Sequence, residues 1–464
     1  MGIKKDIHFE VSERKILLRV FDILSVFLGL MLLEFFFNYD YLLLDSQNSG
    51  YLLVLAFYLT IMGTVFEMYD LQKASKLDVT FRNIVLTAST TILFYFLTPI
   101  ITPFLPERRL QIVYFYLAIV VMLFLWRLAY VAFISSPRFN KRVLLVGETS
   151  YVESIVDSLH VSDPNYRIIG FVNCEETAGK KVRHEGLEEF DPESLHYVIE
   201  DRKISEILVA SFNPENITAN IYHELITLLE KGFTIREYTQ VYEELTYRVP
   251  IQHVGKDFYK YFPFSRSNQN TLYLFLHRIF DISFALVGIV LGCCLLPFVL
   301  LGNLLGNRGP LFYTQERVGK NGVPFKIVKL RSMITNAEKD GAKWAEANDQ
   351  RITKFGKFLR RTRLDEFPQF FNVLKGDMSI IGPRPERPYF VNELSQIIPF
   401  YETRHIIKPG LTGWAQVNTL YGSTVDQSLV KLQYDLYYIK HRSVFLDINI
   451  IVKTLSTILY YRGQ

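Results

Sequence analysis

Four apolar runs open the chain, at about 16–37, 51–69, 84–105 and 112–134. Each is near the roughly 20 residues a helix needs to cross a bilayer. From residue 141 the pattern changes. Arg142-Val143-Leu144-Leu145-Val146-Gly147 reads as a short buried strand ending in glycine. The spacing then predicts a helix over 151–160, a strand over 167–172, a helix over 193–200 and a strand over 205–211. A helix over 216–231 and a strand over 233–238 complete the series. Strands alternating with helices predict a parallel, doubly wound sheet. Residues 251–275 read as an irregular aromatic and basic linker. A fifth apolar run follows, Ile279 to Leu305, interrupted by Gly288, Gly292 and Pro297. The remainder is polar and rich in turns until Leu446 to Tyr461, whose apolar face is expected on the membrane surface.

Composition and charge sharpen this outline. Hydrophobic residues make up 49% of the chain and aromatics 15%, concentrated in the first 135 residues, which marks a membrane protein. Lys4, Lys5, Arg14 and Lys15 precede the first run, loop 38–50 has no Lys or Arg, and Arg138, Lys141 and Arg142 follow the fourth. The positive-inside rule then puts both ends of the bundle in the cytoplasm, with Arg108 and Arg109 in the outer loop as a mild contrary signal. Glu34 and Glu67 are the carboxylates noted near the spans, both close to span ends. Cys174, Cys293 and Cys294 give no disulfide framework or zinc spacing. The net charge of +4 is small and says little alone; the basic residues cluster around particular segments, which suits phosphates or anionic lipid better than a nucleic-acid footprint.

In the middle segment the first turn, Gly147-Glu148-Thr149-Ser150, lacks the further glycines that let a backbone approach a pyrophosphate. Glu148 would put negative charge where phosphates sit. The segment is therefore expected to be Rossmann-like with its dinucleotide fingerprint lost. In the fifth run, Arg278 and Arg308 flank both ends. A helix broken at Pro297 that enters and leaves by one face, and a kinked ordinary span, are both open on the residues alone.

The chemistry concentrates in Arg360-Arg361-Thr362-Arg363-Leu364-Asp365-Glu366-Phe367-Pro368-Gln369. Pro368 and the run to Leu374 predict a short helix stopped by Gly376, with Asp365 and Glu366 just before its N-terminus. An ionised, positioned aspartate can be a nucleophile, a metal ligand or both; an Asp-Glu pair before a helix is also a common surface cap. Around it stand Gln315-Glu316-Arg317-Val318-Gly319, Lys329-Leu330-Arg331-Ser332-Met333, Arg351, Gly376-Asp377-Met378-Ser379, Gly382-Pro383-Arg384-Pro385, Pro409-Gly410-Leu411-Thr412-Gly413-Trp414 and Asp435-Leu436-Tyr437-Tyr438. Arginines recurring beside Gly and Pro turns suit a diphosphate substrate.

These motifs resemble the polyprenyl-phosphate hexose-1-phosphate transferases of bacterial exopolysaccharide, capsule and O-antigen synthesis, the large monotopic phosphoglycosyl transferases. The resemblance is densest over 276–464 and extends to the long form with its bundle and middle domain. It implies four parts: a helical transmembrane bundle at 1–140, an α/β Rossmann-like domain at 141–250, the linker 251–275, and an α-rich monotopic catalytic domain at 276–464. Within the last, 279–305 is expected as a proline-broken re-entrant helix centred on Pro297. The implied reaction is attack of Asp365 on the β-phosphorus of a UDP-sugar, glucose first and galactose second. UMP is released, and undecaprenyl phosphate then takes the phosphosugar from the aspartate. Mg²⁺ is implied, held by Asp365 with Glu366 assisting. Lys329, Arg331, Arg351, Gln369 and Arg384 are the expected substrate contacts. A homodimer in the inner membrane, catalytic domain on the cytoplasmic face, completes the expectation. A membrane-linked sugar-nucleotide dehydratase or epimerase would need the lost glycine fingerprint, and a non-catalytic scaffold would leave Asp365 dispensable.

Overall fold

The computed structural model describes residues 11–74, 77–133, 141–162, 166–174, 187–211, 216–253, 270–335, 337, 349–419 and 424–459. Most of the expected linker, and residues 460–464, lie outside them. The chain divides into two compact units, Met1–Thr246 and Tyr247–Gln464.

In the first unit α1 (Val11–Phe37), α2 (Ser49–Val65), α3 (Leu71–Ala74), α4 (Leu77–Leu97) and α5 (Leu110–Phe133) form a helical region. Of these, α1, α4 and α5 are long and apolar enough to span a membrane, whereas α2 has 17 residues. At 1.5 Å per residue it is about 25 Å long, short of a full hydrocarbon core. The helix of the third apolar run, α4, differs most from expectation. It begins at Leu77 rather than 84, because polar Arg82 and Asn83 are part of it, and it stops before Thr98-Pro99. A residue preceding proline is pushed out of the helical region. Arg127 of α5 is fully buried and donates to Asp22 of α1 at 2.6 Å. Hydropathy singled out Glu34 and Glu67 instead; Glu34 is exposed and Glu67 pairs with Lys73.

The α/β segment follows the expected alternation: β1 (Lys141–Gly147), α6 (Thr149–Ser162), β2 (Tyr166–Asn173), α7 (Leu195–Asp201), β4 (Glu206–Ala210), α8 (Ala219–Glu230) and β5 (Ile235–Glu237). A two-residue edge strand, β3 (Glu188–Glu189), and α9 (Tyr238–Thr246) were not anticipated. The sheet is parallel, ordered β3-β2-β1-β4-β5. Continuous apolar strands such as Val143–Val146, fully buried, are what a sheet covered on both faces requires.

The second unit opens with α10 (Thr271–Gly302), capped by Asn270 and closed by one π-type turn, Asn303–Asn307. Pro297 lies inside α10 and does not end it. Proline deletes one ladder bond, here at the Cys293 carbonyl, while the turns on either side persist. The helix also starts at Thr271, ahead of the apolar run, because Tyr273, His277 and Asp281 form a buried polar face. A hairpin of β6 (Phe312–Val318) and β7 (Pro324–Leu330) follows, then α11 (Lys354–Arg361) and α12 (Gln369–Lys375). Next come β8 (Ser379–Ile381), α13 (Pro388–Ile397), β9 (Gly410–Thr412) paired to β8, α14 (Trp414–Asn418), α15 (Val425–His441) and α16 (Val444–Leu459). One core joins Val373, Met378, Ile381, Leu394, Trp414, Leu432, Leu436 and Ile450.

Candidate active site

Thr353 caps α11 by accepting from the Gly356 amide at 2.8 Å. The helix ends at Arg361, and Arg363 reverses the chain in a left-handed conformation, φ 58°. A single 3-10 turn, Leu364–Glu366, then presents the two carboxylates before α12 begins at Gln369. Gly376, at φ 97°, stops α12, as the sequence predicts. The turn is locked onto α10 by aromatic rings. Phe370 lies against Gly288 and Phe367 against Gly292; a Cβ added at these glycines would stand 2.4 Å and 3.1 Å from the rings. Asn372 fastens α12 to β7, accepting from the Val328 amide at 3.2 Å and donating to the Lys326 carbonyl at 2.8 Å. That register aims Lys329 at the acidic turn.

The two carboxylates have opposite surroundings. Glu366 accepts from Arg384 at 2.9 Å and Lys329 at 3.3 Å, with Arg363 at 3.7 Å. Burial alone would raise its pKa, but these three cations outweigh it and hold the group well below the ordinary carboxylate range. Asp365 is buried, and its Oδ1 has no hydrogen-bond partner. Burial first, then the adjacent Glu366 charge, push its pKa up to about 6, against the pull of Lys329, Arg360 and Arg363. Burial also lowers the Lys329 pKa. One turn on from Asp365, Gln369 is buried with Nε2 unpartnered. A carboxylate oxygen and a carboxamide nitrogen are thus buried and unsatisfied four residues apart, beside a second carboxylate held by cations. Paired carboxyl groups whose environments drive their pKa values apart take different chemical roles.

Of the sequence-predicted residues, Lys329 and Arg384 reach Glu366, and Gln369 lies beside Asp365 in sequence and burial. Arg331 is engaged elsewhere: its guanidinium donates to the carbonyls of Pro310 at 2.7 Å, Met333 at 3.0 Å and Asn307 at 3.1 Å. Its planar fork holds the loop that these carbonyls belong to. Arg351 grips Asp349 through two bonds of 2.8 and 2.6 Å and reaches the Ala337 carbonyl. Sequence reasoning passed over Asp281, which accepts from Ser379 Oγ at 2.9 Å and the Ile380 amide at 2.8 Å. An aspartate in an apolar helix was the available signal. Arg404 was also missed; its partner Asp435 is 31 residues away.

Among the described residues, no group of three or more His, Cys, Asp or Glu side chains gathers as a metal cage would. Asp365, with its orphaned Oδ1, still fits Mg²⁺, which commonly takes one or two carboxylates and completes its shell with substrate phosphates and water. In the α/β segment, Glu148 is buried at the end of β1 and accepts from Ser211 at 2.9 Å and Asn216 at 3.1 Å. A carboxylate therefore occupies the turn where the sequence lacks a phosphate-binding fingerprint.

Residues 272–461 match the family model described as bacterial sugar transferase. The chain is 44% identical over 220 residues to a UDP-N-acetylgalactosamine-undecaprenyl-phosphate N-acetylgalactosaminephosphotransferase of Aeromonas hydrophila, covering 47% of this chain and 51% of that protein. It is 45% identical over 164 residues to a UDP-glucose:undecaprenyl-phosphate glucose-1-phosphate transferase of Xanthomonas campestris pv. campestris, 35% of this chain and 34% of the relative. A protein of the same description from Caulobacter vibrioides is 37% identical over 184 residues, 39% of this chain and 69% of the relative. The matched region thus spans about half the Aeromonas relative and a third of the Xanthomonas one.

Proposed function

The chain belongs to the bacterial sugar transferase family, and on that footing we propose that it transfers a sugar phosphate from a UDP-sugar to undecaprenyl phosphate through Asp365. The observation that carries this reading is the buried Asp365 carboxylate, unpartnered at Oδ1 and next to a Glu366 already neutralised by Arg384 and Lys329. With a pKa of about 6, Asp365 is mostly ionised at neutral pH yet more basic than a surface aspartate, which favours nucleophilic attack.

In the first step an Asp365 oxygen attacks the β-phosphorus. The bond to the bridging oxygen breaks and UMP departs with the electron pair, leaving a phosphosugar on the aspartate. In the second, an oxygen of undecaprenyl phosphate attacks the same phosphorus and the aspartate leaves as carboxylate. Arg384 and Lys329 keep Glu366 charged and in place, and they add positive field beside the transferring phosphoryl group. Gln369 Nε2 is the free donor for a phosphoryl oxygen. Mg²⁺, held by Asp365 with Glu366 assisting, would supply charge neutralisation to the diphosphate.

The membrane reading follows from α10. Its neighbours within this unit lie along most of its length: Ser379 at Asp281, Phe370 at Gly288, Phe367 at Gly292 and Phe355 at Gly302 and Gly306. Elements of the same unit that accompany the helix from Asp281 to Gly306 fit a helix that dips into one leaflet, bending near Pro297, better than one that crosses. That geometry would hold Asp365 at headgroup depth on the cytoplasmic face of the inner membrane, where a soluble UDP-sugar and a lipid phosphate meet. The Rossmann-like reading of the α/β segment makes it a non-catalytic module, consistent with Glu148 in its first turn.

Relatives named for N-acetylgalactosamine stand beside those named for glucose, so the glucose expectation widens to include the acetamido sugar. The test is UMP release by purified protein with Mg²⁺, given UDP-glucose, UDP-galactose or UDP-N-acetylgalactosamine, with and without undecaprenyl phosphate. Release with one donor, lost in Asp365→Asn, supports the proposal. Undiminished release in that variant refutes it.

A further inference from the structure

The segment Gly382-Pro383-Arg384-Pro385-Glu386 carries the arginine that meets Glu366. Its two prolines have no N–H, so it cannot be fastened through its own amides at those positions. It is held instead by its carbonyls. Pro383 O accepts from the Gly410 amide at 2.9 Å, and Glu386 O from the Val318 amide at 2.9 Å. Between them, Arg384 O accepts from Arg404 Nη2 at 3.1 Å and Pro385 O from Arg317 Nη1 at 3.0 Å. Four consecutive carbonyls thus each have a named donor, and the central two donors are guanidinium groups.

Both guanidiniums are themselves oriented. Arg404 donates to Asp435 of α15 at 2.7 Å and to the Tyr401 hydroxyl at 2.8 Å. Arg404 and Asp435 are 5% and 1% exposed, so the pair has been stripped of water. Arg317 donates to Gln315 at 2.6 Å and lies 3.8 Å from Glu386. A buried ion pair is a poor source of stability compared with apolar packing, but no apolar pair could donate to the Arg384 carbonyl.

We propose that Arg404, oriented by Asp435, and Arg317 are positioning residues that fix the Arg384 backbone so that its guanidinium rests on Glu366. The inference rests on the reading of Asp365 as nucleophile. The route is Asp435 to Arg404, to the Arg384 carbonyl, to the Arg384 guanidinium, to Glu366, to Asp365. Neither Arg404 nor Arg317 touches substrate in this account. If Arg384 swings away, Glu366 loses its closest counter-ion and the acidic turn loses a contact that holds it in place.

The test uses the full chain in detergent and Arg404→Lys, in which one ammonium replaces a fork that bonds three acceptors. Arg317→Lys provides the second approach to the same loop should the first fold poorly. kcat for UMP release is expected to fall by about tenfold while KM for the UDP-sugar changes less than about twofold. In an Arg384→Ala background the same substitution should lower kcat no further, since the two act through one link. A KM raised as far as kcat falls, or losses in kcat that add in the double variant, would overturn the proposal. If the wild type releases no UMP from any donor, the activity reading fails separately. The clamp is then judged by hydrogen exchange: amides of 381–387 exchanging about tenfold faster in Arg404→Lys, with β6 and β7 unchanged, support it, and unchanged exchange there rejects it.

Discussion

Replacing Asp365 by Asn should abolish the proposed transfer and make the protein more stable. The site raises the Asp365 pKa from its ordinary 3.8 to about 6, chiefly by burial and then by the Glu366 charge. A carboxyl whose folded pKa lies above its unfolded value favours the folded state most at low pH, where it is protonated in both states. That advantage is lost as pH rises from the unfolded to the folded pKa. Two pH units of displacement correspond to about 3 kcal/mol at pH 7.5, falling to about 1 kcal/mol at pH 4.5. Asn is the neutral isostere of the protonated acid, so it escapes this penalty. For a unit of this size about 3 kcal/mol moves Tm by about 6–12 °C. Thermal unfolding of wild type and Asp365→Asn would be followed by intrinsic fluorescence in the same detergent at both pH values. A higher Tm for the variant at pH 7.5, shrinking at pH 4.5, is expected. An equal or lower Tm at pH 7.5, or a gain independent of pH, would refute the electrostatic reasoning.

Other substitutions probe neighbouring links. Glu366→Gln removes the like charge and leaves Lys329, Arg363 and Arg384 uncompensated, so the acid limb of kcat/KM should fall by about one pH unit or more; a limb that stays or rises contradicts this. Arg331→Gln should lower Tm through loss of its three carbonyl bonds while KM for the UDP-sugar changes less than about twofold; a large KM increase without a Tm change would make it a substrate contact. In the bundle, Asp22→Asn strands the fully buried Arg127 and should cost about 3–5 kcal/mol, and the double variant with Arg127→Met should recover most of it. A double variant no more stable than the single one would show that the pair is not the unit of stability.

The alternation of strands and helices after residue 141 was legible because apolar strands and amphipathic helices have different periods, and the sheet needs both faces covered. The acidic turn was legible for a local reason. Pro368 and Gly376 mark a helix by backbone constraint alone, which put Asp365 and Glu366 at its mouth. What stayed hidden depends on partners distant in sequence. Nothing near Arg331 indicates that its three acceptors are the carbonyls of Asn307, Pro310 and Met333. Asp22 and Arg127 are 105 residues apart, so hydropathy averages each into its own span. Gly288 and Gly292 read as interruptions of an apolar run, whereas they are the places where Phe370 and Phe367 approach α10. A proline inside an apolar run suits a broken helix and a kinked one alike, and only the structure shows α10 continuing through Pro297.

The proposed transfer passes the sugar phosphate through Asp365, and that bond can be measured. Enzyme in excess over donor, without undecaprenyl phosphate, would be mixed with the active UDP-sugar, quenched in acid and digested for mass spectrometry. UMP is expected in an amount matching the protein, with a phosphosugar mass added to the peptide at Asp365 and discharged when undecaprenyl phosphate is supplied. UMP formed only when both substrates are present, with an unmodified Asp365 peptide, would mean direct transfer between substrates and would contradict it.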